Sequence, residues 1–138
     1  MPIEEQKLFL TKEYAEAIRY MDNAKKTLKE AGKEDDGLYK DAKYVRTACG
    51  TAYNGVLIAL DAWLKIKGVE LNPKKRKSIE YYTDNVAKLD GKMSKMLRAA
   101  YNTLHLAGYY DGNSDVKVIQ SGFERAYEII DKIKPSVR

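Results

Sequence analysis

The sequence predicts an all-α fold, an antiparallel up-down-up-down four-helix bundle with two long central helices. Three observations carry that reading. Apolar residues recur at alternating spacings of three and four through four segments, and strict period-two alternation appears nowhere at length. Only three short runs rich in Gly, Pro, Asn and Asp interrupt the rhythm: residues 32–37 (GKEDDG), 67–73 (KGVELNP) and 108–114 (GYYDGNS). Connections this short favour antiparallel neighbours.

The first helix is expected over about residues 3–31, where Leu10, Tyr14, Ala17, Met21, Ala24, Leu28 and Ala31 keep the rhythm. The second, about 37–67, runs Leu38, Ala42, Val45, Cys49, Ala52, Val56, Ala59, Trp63 and Ile66. Its interior Gly50 and Gly55 each cost roughly 1 kcal/mol against alanine, which suggests a close helix approach. The third, about 73–107, runs Ile79, Tyr82, Val86, Leu89, Met93, Met96 and Ala100, then Thr103 and Ala107. Asn72 is its expected cap and Pro73 its first residue. The pair Asp90-Gly91 is a weak point, but the apolar rhythm passes through it, so the helix is expected to be continuous. The fourth, about 115–134, runs Val116, Ile119, Phe123, Ala126, Ile130 and Ile133.

With 138 residues and no shift in composition, the chain is expected to form a single domain over 1–138. A content of 44% hydrophobic and 33% charged residues is globular. One cysteine excludes an intrachain disulfide framework, and one histidine excludes His-rich metal sites, so no metal and no cofactor are expected. The longest wholly apolar run, residues 56–60, is too short to span a bilayer, and the opening MPIEEQKLFL lacks the apolar stretch of a signal peptide. No membrane partner and a reduced, cytoplasmic setting are therefore expected. Cys49 and Trp63 fall on the apolar stripe of the second helix and read as packing residues.

The net charge of +5 is mildly basic. Lys74, Lys75, Arg76 and Lys77 crowd the start of the third helix, where the helix dipole disfavours cations. Antiparallel packing would add Lys65, Lys67, Lys132, Lys134 and Arg138 to that end. Glu30, Glu34, Asp35, Asp36, Asp111 and Asp115 would gather at the other. The basic pole is a candidate phosphate or nucleic-acid contact. Eleven tyrosines against two phenylalanines and one tryptophan favour half-buried flanks and association.

No phosphate-binding glycine loop, dinucleotide fingerprint or nucleophile elbow is present. Asn102 stands three residues before His105, where a di-metal bundle centre would need Glu. One pair remains, Arg98 and His105. Seven residues apart on a continuous α-helix, they share a face turned away from the apolar stripe, and both should be exposed. Histidine moves protons near neutrality, and arginine steadies charge on a phosphate.

The second segment, YKDAKYVRTACGTAYNGVLIALDAWLKIKG, resembles the Ala-rich second helix of HEPN-type proteins, the higher-eukaryote and prokaryote nucleotide-binding domain. RAAYNTLH resembles their Arg-x4-6-His motif at its longest spacing. The resemblance covers roughly residues 37–134 and points towards small uncharacterised bacterial helical proteins. It implies a dimer in which Arg98 would stabilise phosphate and His105 would handle the proton, without metal. It also implies a toxin–antitoxin-type protein partner. Ala99 departs from the polar residue that commonly follows the family's arginine, and the pair lies in the half of its helix nearer the acidic pole. The expected function is thus a non-enzymatic, self-associating interaction module touching RNA or nucleotide at the basic pole. The alternative is a metal-independent HEPN-like endoribonuclease acting across a dimer interface.

Overall fold

The computed structural model describes residues 1–70 and 78–135. Among these the regular elements are all helical: α1 (Ile3–Glu30), α2 (Ala42–Ile66), α3 (Ile79–Ala87), α4 (Gly91–Ala100) and α5 (Val116–Asp131). A π-helical segment, Tyr101–Tyr110, continues α4 directly. Two isolated bridges, Lys33 with Tyr39 and Leu38 with Asp115, are the extended pairings among the described residues. No described helix is long and apolar enough to cross a membrane.

Side-chain contacts give the register. Lys65 Nζ lies 4.8 Å from the Phe9 ring, Gly55 faces the Ala17 carbonyl and Tyr20, and the Asp41 amide donates to the Ala31 carbonyl at 3.1 Å. Numbers rise on one helix as they fall on the other, so α1 and α2 run antiparallel. The same holds between α2 and the π segment: Arg46 meets Tyr109 and Tyr110, Cys49 meets Gly108, and Tyr53 meets Tyr101 and His105. On its far side α5 closes the core, with Gly122 against Thr103 and Leu104. Tyr14 donates to Asp131 at 3.3 Å, tying α1 to α5.

The apolar stripes supply that core. Met21, Val56, Leu60, Leu97, Ile119 and Ile130 are fully buried. Trp63 is half-buried at its edge rather than within it.

Two helix boundaries differ from expectation. The second helix starts at Ala42, not near residue 37. Gly32 and Gly37 adopt left-handed backbone at φ 66° and 84°, and Leu38 and Tyr39 are spent on the bridges. Asp41 then caps α2, its carboxylate accepting from the Lys43 amide at 3.0 Å.

The third expected helix, 73–107, is not continuous. It ends after Ala87 and restarts at Gly91, because the Asp90 carboxylate accepts from the Met93 amide at 3.0 Å and caps a new helix. The Asp90 amide closes the preceding turn on the Val86 carbonyl at 2.7 Å. Leu89, placed on the apolar stripe by its spacing, falls in the break and is 46% exposed. Ser78 caps α3 through a 3.1 Å bond from the Tyr81 amide; Asn72 and Pro73, expected in that role, lie outside the described residues.

The π segment is the third departure. Its i→i+5 winding shows where the Asp111 amide donates to the Leu106 carbonyl at 2.9 Å. A wider helix brings its backbone closer to neighbours, and glycine makes room. A Cβ at position 108 would stand 2.3 Å from Cys49 Sγ. We expect Gly108→Ala to destabilise the fold by about 1–3 kcal/mol through overpacking, read as a lower midpoint in urea unfolding. Adding Cys49→Ala should return part of that loss, giving a non-zero coupling in a double-mutant cycle. Additive effects would show that this contact does not set the approach of the π segment to α2.

Candidate ligand groove

A groove of about 780 Å³ opens between α2, the start of α3 and the π segment. That size is ordinary for a small-molecule site. On the π segment, residues four apart fall nearly in line because the winding is wider than that of an α-helix. Tyr101, His105 and Tyr109 therefore form a ladder of stacked rings. The Tyr101 and His105 centroids are 5.1 Å apart with planes at 26°, and His105 and Tyr109 are 5.8 Å apart at 20°. Tyr53 of α2 leans on the imidazole at 5.1 Å, and Tyr110 meets it edge-on at 5.0 Å. Such offset and edge contacts add about 0.5–1.5 kcal/mol each beyond burial.

Gly50 lets the ladder lie close, since a Cβ there would stand 3.1 Å from the Tyr109 ring. At the top of the ladder Arg46 donates to the carbonyls of Tyr109 and Tyr110, at 3.3 and 2.5 Å. A cation at a helix C-terminus is electrostatically favoured there. Opposite the ladder, Tyr82 donates to the Asp61 carboxylate at 2.8 Å. Thr47, Thr51, Asn54, Ser78 and Glu80 provide hydrogen-bonding groups along the walls.

Burial sets the electrostatics. It pushes the Tyr53 phenol up to about 12, helped by Tyr101 and opposed by Arg98. Burial and the Asp61 carboxylate hold the Tyr82 phenol far above its ordinary value. Burial also lowers the pKa of His105. These groups are therefore neutral near pH 7, and the groove wall combines aromatic rings with polar groups.

Arg98 is exposed, as expected, in the last turn of α4. His105 is not: it is half-buried within the tyrosine cluster. The expectation assumed α-helical winding throughout, and the change to π winding after Ala100 rotates His105 inward. Arg98 and His105 meet at one tyrosine, Tyr101, which has the Arg98 guanidinium carbon 5.9 Å from its centroid and the His105 ring stacked on it. Lys74, Lys75, Arg76 and Lys77 lie outside the described residues. Lys67, Lys132 and Lys134 do gather at one end, lining a shallow groove with Lys7. Lys65, at the same end, lies over Phe9, and Arg138 lies outside the described residues. The opposite end is less acidic than expected, because Lys25, Lys26, Lys29 and Lys33 stand there too. Cys49 is buried with its thiol pushed up to about 12, which leaves it unreactive. Among the described residues no group of His, Cys, Asp and Glu is placed to hold a metal ion. Sequence reasoning missed Tyr53, Tyr101, Tyr109 and Tyr110. The signal available was the spacing of four in Tyr101, His105 and Tyr109.

The low pKa of His105 has a consequence for stability. The unfolded chain takes up a proton near pH 6.5 while the folded chain resists it until lower pH. Stability should therefore fall as pH drops below about 6.5. His105→Gln should remove that portion of the pH dependence in denaturant unfolding curves. A variant with an unchanged profile would place the imidazole in open solvent.

Three comparisons bear on kinship. The model of a family described as a domain of unknown function (DUF5618) matches residues 12–135. A solved protein of unknown function from Dyadobacter fermentans is similar at 38% sequence identity with a TM-score of 0.78, covering 91% of this chain and 95% of that one. No curated protein matches the chain. The chain therefore belongs to the DUF5618 family.

Proposed function

We propose that the chain is a non-enzymatic interaction module that holds a nucleotide or an unstacked RNA base in the aromatic groove. The observation that carries this reading is the ladder of Tyr101, His105 and Tyr109 along the groove wall. A nucleobase is a flat ring with polar edges, and sequence-tolerant binding of single strands relies on stacking such rings on aromatic side chains. Asn54, Thr51 and Glu80 offer partners for the base edges. Lys74, Lys75, Arg76 and Lys77 directly precede groove-lining Ser78 in the sequence, which suits them to the attached phosphates. The antiparallel registers support an up-down-up-down, HEPN-like arrangement within one domain. Exposed Leu106, Tyr109 and Tyr110 beside the groove support self-association. A toxin–antitoxin-type partner belongs to the same HEPN-like reading.

Single-stranded RNA and nucleoside monophosphates titrated at ~50 mM salt should bind. Tyr101→Ala should weaken binding about tenfold, since stacking contributes about 1–3 kcal/mol per base. Changing Lys74, Lys75, Arg76 and Lys77 together to Gln should flatten the fall of log affinity with log salt. Absence of binding, or full affinity in Tyr101→Ala, would overturn the reading.

One observation favours a second reading, a metal-independent endoribonuclease. His105 sits in the groove with a lowered pKa, neutral and able to accept a proton, while Arg98 reaches the same tyrosine. On the preferred reading RNA incubated with EDTA stays essentially intact. Cleavage abolished separately by His105→Ala and Arg98→Ala, with a rate that follows histidine titration, would establish the enzyme instead.

A further inference from the structure

A second groove, of about 590 Å³, lies across the molecule between the last two turns of α1 and the face of α5. Its floor is apolar and aromatic. Phe123 is 6% exposed, Tyr39 is 5% exposed, and Leu28 and Tyr127 are half-buried. Its rim is cationic. Lys25, Lys26 and Lys29 stand on one side of α1 at positions i, i+1 and i+4, and Lys33 follows from the connecting loop. Lys33 is held there by its bridge to Tyr39. Lys25 reaches inward, its ammonium 4.9 Å from the centre of the Tyr127 ring.

None of these four lysines pairs with a carboxylate among the described residues. Glu124 is the lone acidic side chain on the groove wall. Two of the lysines, Lys25 and Lys29, stand at i and i+4, a spacing at which like charges repel. The negative end of the α1 dipole relieves only the last turn. Four cations against one anion, around an aromatic floor, is a complementary surface for a molecule with the opposite pattern.

We propose that this groove binds a small amphiphilic organic anion, a flat apolar body carrying one sulfonate, carboxylate or phosphate group. The body would lie on Phe123 and Tyr127, and the anionic group would meet Lys25 and Lys29. Lys26 and Lys33 would raise the local anion concentration from the rim. The proposal does not depend on the aromatic groove around His105, which shares none of these residues.

The probe is 8-anilinonaphthalene-1-sulfonate, with N-phenyl-1-naphthylamine as its counterpart lacking the sulfonate. The native protein should bind the sulfonate saturably at one site, with enhanced fluorescence and a raised Tm. It should bind the uncharged amine at least tenfold more weakly. Lys25→Glu together with Lys29→Glu should weaken the sulfonate about tenfold or more, while Lys95→Glu together with Lys117→Glu should leave it unchanged. Circular dichroism melts of both double variants verify that each is folded. Should Lys25→Glu with Lys29→Glu fail to fold, Lys25→Gln with Lys29→Gln reads the same loss with less charge change. Equal affinity for the two probes, unsaturable fluorescence, or undiminished binding in a folded Lys25/Lys29 variant would overturn the proposal. Tyr101→Ala should have no effect on this probe, so failure here and failure of the nucleotide reading are told apart.

Discussion

The close contact between α2 and the π segment is the constraint on which the functional surface depends. Gly108 rests on Cys49 with no room for a methyl group, and Gly50 rests under the Tyr109 ring. Packed interiors respond to volume changes of a single carbon. Fully buried Cys49 therefore acts as a spacer as much as a hydrophobe, and a helix of ordinary radius with ordinary side chains would stand further away. The rings of Tyr101, His105 and Tyr109 inherit their common line from the winding, and their distance from Tyr53 from this contact.

A second constraint acts at the ends of the helices. Asp41, Ser78, Asp90 and Asp115 each accept a backbone amide of the first turn that follows. Such caps are worth about 1 kcal/mol apiece, enough to decide where a helix begins when its propensity is even. Asp90 decides the most, because it divides one apolar stripe into two helices. The bond from Ser94 Oγ to the Thr83 carbonyl, 3.2 Å, ties α4 back to α3 across that break. α3 is thereby held where Ser78, Ile79, Glu80 and Tyr82 can form the wall facing the ring ladder.

Charge and aromatic surface are distributed over two grooves of different character. Around His105, burial keeps Tyr53, Tyr82 and the imidazole itself in their neutral forms at pH 7. Between α1 and α5 the floor is apolar, and exposed lysines stand around it, with Lys25 reaching over the Tyr127 ring. A polarity expressed as one basic and one acidic end of the molecule is too coarse for this arrangement. Lys33 and Asp35 share a shallow surface while Lys25 covers Tyr127 on an adjoining one.

The sequence by itself determined the helical class, the core stripe and the start of α5. Those features rest on interactions within one helix or on a repeating apolar face, and Met21, Val56, Val86 and Ile130 are buried as their spacing requires. Glycines at 50 and 55 likewise announced close approaches, because interior glycine has a cost that packing must offset. The candidate site was less legible. Arg98 and His105 could be picked out by residue type, but the inward turn of His105 and its tyrosine neighbours could not. Only the tertiary structure decided these, since π winding is poorer than α winding in isolation and is set by fit against α2. The break at Asp90 lay between the two: the sequence marked Asp90-Gly91 as a weak point while apolar spacing carried through it, and two helices result where the local Asp90 cap is joined by the Ser94 bond to Thr83 across the break.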